Sequence, residues 1–584
     1  MSTKEFKTLK ELINYSSENY ANNISFSFID GDFYTYSQLQ QKSDEISRLL
    51  SENGIGDYQK VAILSQNMPN WVVAFFSVVS TTRVAVPLLP DFSEHEIKNI
   101  IDHSESKVIF VSQRLKYKLT PEILESLDLV ICIDTFELIK AKENPNQISV
   151  SEPKPDDLAS IIYTSGTTGG SKGVMHTHKT LCAHLYAACL LRPGFEWDIW
   201  LSLLPLSHTF ENSLGMLLPM ASGSSVYHIE KAPTPSILLK ALKEVRPTTM
   251  LSVPLIIEKI YRSSILPKFT SKKSVQKIYK TTLGRKLLNY LAGKKLKETF
   301  GGRLRFFGIG GAKLDPEVER FLYEAKFPYG IGYGLTESAP LLAGAVPHMV
   351  KWQSTGPVVH GVTLKINNPN PETGEGEIVA KGPNIMVGYY KNPEATKEAF
   401  TEDGWFRTKD LGIFDKKGRL YIKGRLNNMI LGPSGENIYP EEIESVINAH
   451  AMVAESLVTQ SKGKLIARIY FNPDKLKALA EAKEEVLASY YQTKESFMKS
   501  YEEKKEELIT SYEEKKEELL HSYDEKKEEM LKAFNQKIEQ IKQDITKYVN
   551  ERVNKFSKIS VIIDNKEQFE KTATHKIKRY KYKD

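Results

Sequence analysis

Short apolar runs alternate with segments of helical periodicity along residues 1–400. Four of these runs are VAIL at 61–64, VIFV at 108–111, LVIC at 129–132 and LRFF at 304–307. Because short apolar runs between helical segments are typical of buried parallel strands, they predict an α/β fold of layered sheets and helices. The pattern therefore places residues 1–424 in one large α/β domain.

The pattern changes near residues 415–425, where the sequence DKKGRLYIKGR is basic, punctuated by glycine and turn-like. Beyond this point we predict a helix that begins at Pro440 and two strands, at 465–471 and 559–563. These elements are typical of a small α+β domain. We predict that this C-terminal domain consists of two stretches of chain, 425–474 and 546–584.

The intervening insert, residues 475–545, contains an eleven-residue repeat. Its four consecutive units at 489–532 are SYYQTKESFMK, SYEEKKEELIT, SYEEKKEELLH and SYDEKKEEMLK. Such a period aligns apolar positions along a helix with about 3.67 residues per turn, so we predict a helical coiled coil. Because both ends return to one small domain, we favour an antiparallel hairpin. A single long helix that pairs with another chain stays open, and either form could mediate self-association or bind a protein partner.

The net charge of +6 is distributed unevenly along the chain. Residues 262–305 contain thirteen lysines and arginines and a single acidic residue, Glu298. Such a stretch either forms a solvated surface or contacts anionic lipid headgroups, and the sequence leaves both interpretations open. Since no nucleic-acid-binding module accompanies the charge, we do not predict nucleic acid as a partner.

Cysteine usage and the apolar runs indicate the compartment. The three cysteines form no CxxC pair, which favours a reducing environment. No apolar run reaches the length that spans a bilayer, and the N-terminal sequence MSTKEFKTLKELI lacks the apolar region of a secretory signal. We therefore predict a cytoplasmic protein. Peripheral contact with the inner face of the membrane through residues 262–305 stays open.

The most specific motif is IIYTSGTTGGSKGVMHTH at residues 161–178. A predicted strand leads into a loop of threonine, serine and glycine that is closed by Lys172. Glycines let backbone N–H groups approach an anion, hydroxyls donate to phosphate oxygens, and the lysine adds positive charge. The loop differs from a Walker A motif at Ser171 and Gly173. It predicts a phosphate-binding site, with a flexible surface linker as the alternative.

Three further segments carry residues suited to nucleotide binding. In PYGIGYGLTESAP, Tyr333 can stack on a purine, Thr336 can contact phosphate and Glu337 can hold Mg²⁺. In GWFRTKDLGIFDKKGRLYIKGR, Asp410 can accept two ribose hydroxyls, and Arg425 follows it by fifteen residues around a predicted hairpin. The third segment, KTATHKIKR, places a lysine in a basic tail. Taken singly, each of these residues is better explained as an ordinary solvated side chain.

Taken together and in this order, the motifs resemble the adenylate-forming superfamily, which includes acyl- and aryl-CoA synthetases, luciferases and peptide-synthetase adenylation domains. The match spans nearly the whole chain except the repeat insert. Within the superfamily, PLSHTFENSLG at 205–215, GPSGENIYPEEIE at 432–444 and FEKTATHKIKRYKY at 569–582 are most similar to long-chain fatty acyl-CoA synthetases. The resemblance implies a large N-terminal adenylate-forming domain, which binds ATP and the acyl group, and a small mobile C-terminal domain.

The resemblance also implies a reaction in two steps. A carboxylate attacks the α-phosphorus of ATP, which releases pyrophosphate and leaves an acyl-adenylate, and the thiol of CoA then displaces AMP. The expected substrates are a fatty acid of medium or long chain, ATP with Mg²⁺, and CoA. Two alternatives stay open, namely an aryl or short-chain acid, and transfer to an acyl carrier protein instead of CoA.

Roles for individual residues around the nucleotide follow from the resemblance. The phosphate loop would bind the β- and γ-phosphates through Thr164, Ser165, Gly166, Thr167, Thr168, Gly169 and Lys172. The segment Gly310, Gly311 and Ala312 would pass close to adenine and the acyl chain, and Gly334 would also contact the nucleotide. Tyr333 would stack on adenine, and Asp410 would bind the ribose hydroxyls with help from Arg425. Thr336 would contact the α-phosphate, and Glu337 would hold Mg²⁺.

The remaining implied residues concern the acyl group and the domain motion. Lys576 would bridge the attacking carboxylate and the α-phosphate, where it would stabilise the developing charge. His208 would line the acyl site, with an ordinary structural histidine as the alternative. Asn427 would be the hinge, at a position where relatives usually have aspartate or lysine. Two further departures are Ser171 and His575, where proline and glycine are usual.

A protein of another class, an inactive scaffold that acts through the helical insert, is the last alternative. A degenerate active site should have lost at least one of its chemical groups. The chain retains Lys172, Glu337, Asp410, Arg425 and Lys576. The sequence therefore predicts an enzyme, an AMP-forming acid–thiol ligase.

Overall fold

The chain divides into two compact units, and the division falls after Leu426. The computed structural model describes residues 4–143, 146–164, 171–230, 234–431, 437–461, 464–477, 532, 535–572 and 576–582. The first unit contains three β-sheets, and the second contains two smaller ones. The predicted domain boundaries stay predictions, because most of the insert that separates the two C-terminal stretches lies outside the described residues.

The first sheet of the first unit has eight strands. In spatial order they are Leu341–Ala345, Tyr329–Gly334, Phe306–Ile309, Thr249–Ser252, Ile199–Ser202, Ser225–His228, Ile24–Phe28 and Phe33–Thr35. Neighbouring strands are parallel except at the two edges, where the outermost strands run antiparallel. The carboxyl ends of the central strands therefore meet at one edge of the sheet, where ligands commonly bind in such folds.

The second sheet also has eight strands and a parallel centre. Its order is Gly388–Tyr389, Lys172–Thr177, Leu158–Thr164, Val84–Leu88, Lys60–Leu64, Val108–Val111, Leu129–Cys132 and Leu138–Lys140. The third sheet is antiparallel, with the order Thr363–Asn367, Gly376–Lys381, Phe406–Phe414 and Leu420–Arg425. The segment 415–425 therefore forms the turn and last strand of a hairpin in this sheet.

Helices cover the two large sheets of the first unit. The α-helices are Leu9–Asn19, Tyr36–Glu52, Pro69–Val79, Glu94–Ser104, Pro121–Ser126, His178–Leu191, Leu218–Ser222, Pro235–Val245, Pro254–Ile260, Leu266–Thr270, Lys273–Lys280, Thr282–Thr299, Pro316–Glu324 and Pro393–Ala399. Two π-helical turns, Glu211–Leu217 and Tyr261–Ile265, interrupt this series, and short 3₁₀ turns occur at Gln113–Lys118 and Thr336–Ser338. All residues of helix Pro69–Val79 except Asn70 are buried, and most of them belong to a core cluster that includes strands of both large sheets.

The second unit is a small α+β fold. A two-stranded ladder joins Ile430–Leu431 to Asn437–Ile438, helix Pro440–Asn448 follows, and a three-stranded sheet has the order Val453–Ser461, Lys464–Phe471 and Val561–Asp564. Residues 535–550 are helical, and 3₁₀ turns lie at Leu426–Asn428 and Arg579–Tyr582. The core of the unit includes Ile443, Ile447, Ile469, Ile545 and Val549.

The predicted α/β fold class is confirmed, and so are the strands at 61–64, 108–111 and 129–132. The fourth strand begins later than predicted, because it comprises Phe306–Ile309. Arg305 lies just before this strand, and its amide donates to the Thr248 carbonyl. The helix predicted to begin at Pro440 is confirmed.

The last predicted strand also begins later than expected, at Val561. The side chain of Asn550 bonds both the amide and the carbonyl of Ile559, which therefore lies outside the ladder. The predicted coiled coil lies almost entirely outside the described residues. Within them, no helix is both long and apolar enough to cross a membrane.

Candidate active site

The two strands that flank the phosphate-loop motif form an antiparallel pair in the second sheet, next to its edge strand Gly388–Tyr389. Strands Leu158–Thr164 and Lys172–Thr177 are antiparallel, and Thr164 lies directly opposite Lys172. Of the predicted phosphate contacts, the structure therefore places these two at the mouth of the loop. The others, Ser165, Gly166, Thr167, Thr168 and Gly169, lie outside the described residues.

Glu337 and Lys172 contact the same aromatic ring. The Tyr389 hydroxyl donates to Glu337 Oε1 at 2.9 Å, and Lys172 Nζ lies 4.9 Å from the centroid of the Tyr389 ring. Burial and the nearby Glu337 charge raise the pKa of Tyr389, so the phenol stays protonated and donates. The lysine at the loop mouth and the predicted metal carboxylate thus contact the ring and the hydroxyl of one tyrosine.

Backbone bonds fix the short turn that carries Thr336 and Glu337. The ring Nε2 of His176 donates to the Thr336 carbonyl at 2.7 Å, and the Met386 amide donates to the Glu337 carbonyl at 2.8 Å. Burial lowers the pKa of His176 to about 4, which keeps the imidazole neutral with one ring nitrogen as a donor. The turn is therefore tied to the phosphate-loop hairpin through His176.

Gly334 ends the strand that precedes this turn. A Cβ built on Gly334 would lie 1.6 Å from the carbonyl oxygen of Pro340, so the backbone passes too close for any side chain. The same strand positions Tyr333, one residue earlier. Gly334 therefore has a geometric reason to be glycine, which is separate from any contact with a nucleotide.

Asp410 is the acceptor for a tyrosine and an arginine. The Tyr333 hydroxyl donates to Asp410 Oδ2 at 2.9 Å, and Arg425 Nε lies 2.9 Å from Asp410 Oδ1. Asp410 and Arg425 are direct partners in the ladder of the predicted hairpin. Burial and the Asp410 charge raise the pKa of Tyr333 well above its ordinary value. A buried carboxylate held by two donors is a preorganised acceptor for ribose hydroxyls.

Gly310 and His208 meet at Phe210. A Cβ on Gly310 would lie 3.0 Å from the Phe210 ring, whereas Gly311, with φ +85°, and Ala312 are exposed. His208 is half-buried, and its Nδ1 accepts from the Phe210 amide at 3.2 Å. When this bond forms, the imidazole proton is on Nε2.

An apolar pocket begins at Phe210 and runs along the first sheet. Helix His178–Leu191 and the π-helical turn Glu211–Leu217 contribute to its walls. Its floor is made by glycines that face each other across strands, namely Gly308 with Gly330 and Gly332 with Gly344. A Cβ on any of the four would lie 2.6–3.1 Å from a neighbouring atom, so only glycine lets the surrounding side chains pack this close to the strands.

Arg192 lines the pocket near the amino ends of the strands. Its guanidinium lies 5.1 Å from the Trp200 ring and 5.5 Å from the Phe306 ring, and Nη1 lies 2.9 Å from Asp198 Oδ2. Asp198 is buried, so the ion pair is desolvated and breaking it would leave a buried charge unpaired. The pocket is thus apolar along its length and bounded by a charged pair.

The second unit holds the remaining predicted residues. Lys576 is exposed, in a tail where Arg579 pairs with Glu444 and Lys571 lies 2.5 Å from Glu455. Asn427 lies in the 3₁₀ turn Leu426–Asn428, where the division between units falls. The catalytic role of Lys576 and the hinge role of Asn427 stay predictions.

Sequence reasoning missed Tyr389, His176 and the glycine floor. Tyr389 and His176 gave no signal, because each contacts a residue far away in the chain. The glycine floor did leave a signal in the sequence, because the glycines in YGIGYG recur at every second position, the period that places residues on one face of a strand. Glu211 was also missed, a buried carboxyl that accepts from Ser202 Oγ at 2.6 Å.

Known proteins share both the sequence and the fold. A sequence model of the family described as AMP-binding enzyme matches residues 14–390. "Long chain acyl-CoA synthetase 6, peroxisomal" from Arabidopsis thaliana is 29% identical over 78% of this chain and 70% of its own length. "4-coumarate--CoA ligase 1" from the same organism is 28% identical over 74% of this chain and 77% of its own length.

Among solved structures, the Bacillus subtilis O-succinylbenzoate coenzyme A synthetase, in complex with ATP and magnesium ion, superposes with a TM-score of 0.72. It is 21% identical, and the superposition covers 98% of this chain and 99% of that one, so it shows a shared fold. The resemblance inferred from the sequence motifs is confirmed.

Proposed function

The chain belongs to the family of AMP-binding enzymes, and from this premise we propose that it converts a fatty acid of medium or long chain to its acyl-CoA thioester. The first half-reaction joins the carboxylate to the α-phosphorus of ATP and releases pyrophosphate. The second transfers the acyl group to the sulfur of CoA and releases AMP. The observation that carries the choice of acid is the glycine-floored apolar pocket that begins beside Phe210.

Groups that precede and follow the turn at Thr336 in the sequence would hold the nucleotide. Asp410, oriented by Tyr333 and Arg425, would accept the ribose hydroxyls, and Lys172 at the loop mouth would contact the phosphates. Phosphoryl transfer depends mainly on positioning and on neutralising charge, so a preorganised set of donors and acceptors suits it. Lys576 would supply the positive charge at the attacking carboxylate and the α-phosphate.

Glu337 is suited to a magnesium ion bound with the nucleotide. Its carboxylate is half-buried, and Oε1 is oriented by the Tyr389 hydroxyl. Among the described residues, no group of three or more potential ligands forms a metal site. One carboxylate together with substrate phosphates is, however, a common way to hold Mg²⁺. When bound, the ion would neutralise charge on the phosphate oxygens.

The pocket favours an acyl chain because its walls are apolar. Each buried methylene contributes about 0.8 kcal/mol, so every further carbon that fits should raise affinity roughly fourfold. The Arg192–Asp198 pair would limit the length of the acyl chain, since an acyl chain cannot replace the bonds that this pair makes. His208, through its Nε2 donor, would contact the acyl carboxylate.

An aryl acid is the second candidate substrate. It is favoured by the similarity to 4-coumarate--CoA ligase 1, which is as extensive as the similarity to a long-chain synthetase. A flat ring would fill only the part of the pocket near Phe210. CoA is proposed as the acceptor instead of a carrier protein because both relatives are named as CoA ligases or synthetases. A cytoplasmic location is proposed from the three cysteines, which are all buried and unpaired with one another.

ATP–pyrophosphate exchange tests the adenylation half-reaction and its substrate. The acids would run from acetate to oleate, with benzoate and 4-coumarate as aryl probes, and CoA thioester formation would be followed separately. We expect exchange to be fastest with a medium- or long-chain acid and to fall by about 100-fold or more in Lys576→Ala. Lys566→Ala, an exposed lysine in the same unit, is the matched control. Exchange with aryl acids alone, or with none, would contradict the proposal.

A further inference from the structure

The helix Thr282–Thr299 has apolar residues on two opposite faces. Asn289, Gly293 and Leu296 are buried on the inner face. On the outer face, leucines recur at every fourth position, and their exposed fractions are 83% for Leu283, 59% for Leu287 and 52% for Leu291. Spacing of four residues places these leucines on one stripe of the helix. The core therefore accounts for the inner face and leaves the leucine stripe on the surface.

Contacts on the inner face fix the orientation of this helix. Arg285 Nη2 donates to Glu324 Oε1 at 2.9 Å, and Asn289 Nδ2 donates to Glu324 Oε2 at 2.7 Å. A Cβ on Gly293 would lie 2.6 Å from Ala325 Cβ, so the backbones approach closely. The leucine stripe is thus presented to the surroundings by a helix that is bonded to helix Pro316–Glu324 and its end.

Lysines surround the leucine stripe. The preceding helix, Lys273–Lys280, has no buried residue, and its Ile278 is 50% exposed. The exposed lysines of the two helices are Lys273, Lys277, Lys280, Lys286, Lys294, Lys295 and Lys297, and Lys272 directly precedes the first helix. The single acidic residue between 262 and 305 is Glu298. We call the exposed residues of these two helices the leucine–lysine surface.

We propose that the leucine–lysine surface binds the surface of an anionic lipid bilayer. Leucines on one face of a helix bury themselves among headgroups and acyl chains, and flanking lysines are attracted to anionic lipids. The charge argues against a second copy of the chain as the occupant, because two such surfaces would bring their lysines together. The two exposed helices would lie along the membrane without crossing it.

Vesicle flotation tests the proposal with the full chain. Vesicles of phosphatidylcholine alone would be compared with vesicles in which one third of the lipid is phosphatidylglycerol. We expect the protein to float with the anionic vesicles only, and to be released when salt is raised to about 0.5 M, where charges are screened within a few ångströms. Equal binding to both vesicles, or no flotation with either, would overturn the proposal.

Two variants separate the apolar and the ionic contributions. Leu283→Ser with Leu287→Ser should reduce flotation with anionic vesicles by 10-fold or more. Its matched control is Leu138→Ser with Leu239→Ser, two exposed leucines outside the surface. If the control variant loses binding equally, the leucine stripe is not the site.

The ionic variant replaces Lys273, Lys277 and Lys280 by glutamine. It should also bind at least 10-fold less, whereas Lys416→Gln with Lys417→Gln, both exposed elsewhere, should bind as the wild type does. Unfolding midpoints of all variants should match, because the substituted side chains are exposed. In sedimentation experiments, the wild type and the leucine variant should have the same oligomeric state. A dimer that forms only in the wild type would identify a second copy of the chain as the occupant of the surface instead.

Discussion

Replacing Ala188 by leucine tests whether the glycine-floored pocket holds the acyl chain. Ala188 is buried on helix His178–Leu191 and lines the pocket. Leucine is nearly as good a helix former as alanine, so the helix itself should persist. The change fills pocket volume with three carbon atoms. A long acyl chain should then lose the burial of about three methylenes, or roughly 2.4 kcal/mol, which corresponds to about 60-fold in kcat/KM.

The assay is exchange or thioester formation across saturated acids of increasing length. We expect the preferred chain of the variant to be about three carbons shorter, while acids short enough to end before Ala188 keep their kcat/KM. Ala183→Leu, the same substitution at a half-buried position on the same helix, is the control and should leave the length profile unchanged. The unfolding midpoint of each variant reports whether overpacking has disturbed the fold.

Two results would refute the reasoning. If a well-folded Ala188→Leu variant lost activity equally with every acid, acetate included, the pocket would matter for something other than chain length. If its length profile equalled that of the wild type, the chain would lie elsewhere. Only a loss that grows with chain length supports the acyl pocket.

Three further substitutions test the buried carboxyl of Glu211 and the two tyrosines that donate to Asp410 and Glu337. Burial raises the pKa of Glu211 from 4.5 to about 8. Between these pH values the folded state keeps a proton that the unfolded chain releases, so the free energy of unfolding falls as pH rises, by up to about 5 kcal/mol in total. Glu211→Gln stays neutral and should raise the unfolding midpoint at pH 8 but not near pH 4.5, and equal effects at both pH values would contradict this. Tyr333→Phe removes the donor to Asp410 and should raise the KM for ATP about fivefold with little change in kcat; an unchanged KM would contradict the ribose role of Asp410. Tyr389→Phe frees the Glu337 carboxylate and should raise the Mg²⁺ concentration for half-maximal exchange by about 10-fold; an unchanged Mg²⁺ dependence would count against Glu337 as a ligand.

Local patterns carried much of the fold and part of the site. The apolar run at 108–111 predicts its strand because the residues are buried on both faces of a parallel sheet. The hairpin that carries Asp410 and Arg425 could be predicted from its turn-like sequence, and the structure adds the register that places the two residues opposite each other. Both are properties of short stretches of chain.

The parts that sequence reasoning missed depend on contacts between distant segments. Gly308 and Gly330 form a floor only because their strands are neighbours, and that order is set by how helices cross over between strands. Tyr389 reaches Glu337 through a short edge strand that pairs with the phosphate-loop hairpin. No local period encodes which residue of another strand becomes the neighbour, so these contacts could be found only from the folded structure.

The close approach at Gly334 has a consequence for mutational scanning. Because a Cβ would overlap the Pro340 carbonyl, all nineteen other residues should be rejected there, as strictly as substitutions of a residue that touches the substrate. A scan that selects only for growth or turnover would therefore rank position 334 beside Asp410 and Glu337, although it contributes no chemical group. A parallel scan for protein abundance should separate them, since variants at 334 lose the folded turn whereas conservative variants at the two carboxylates accumulate normally.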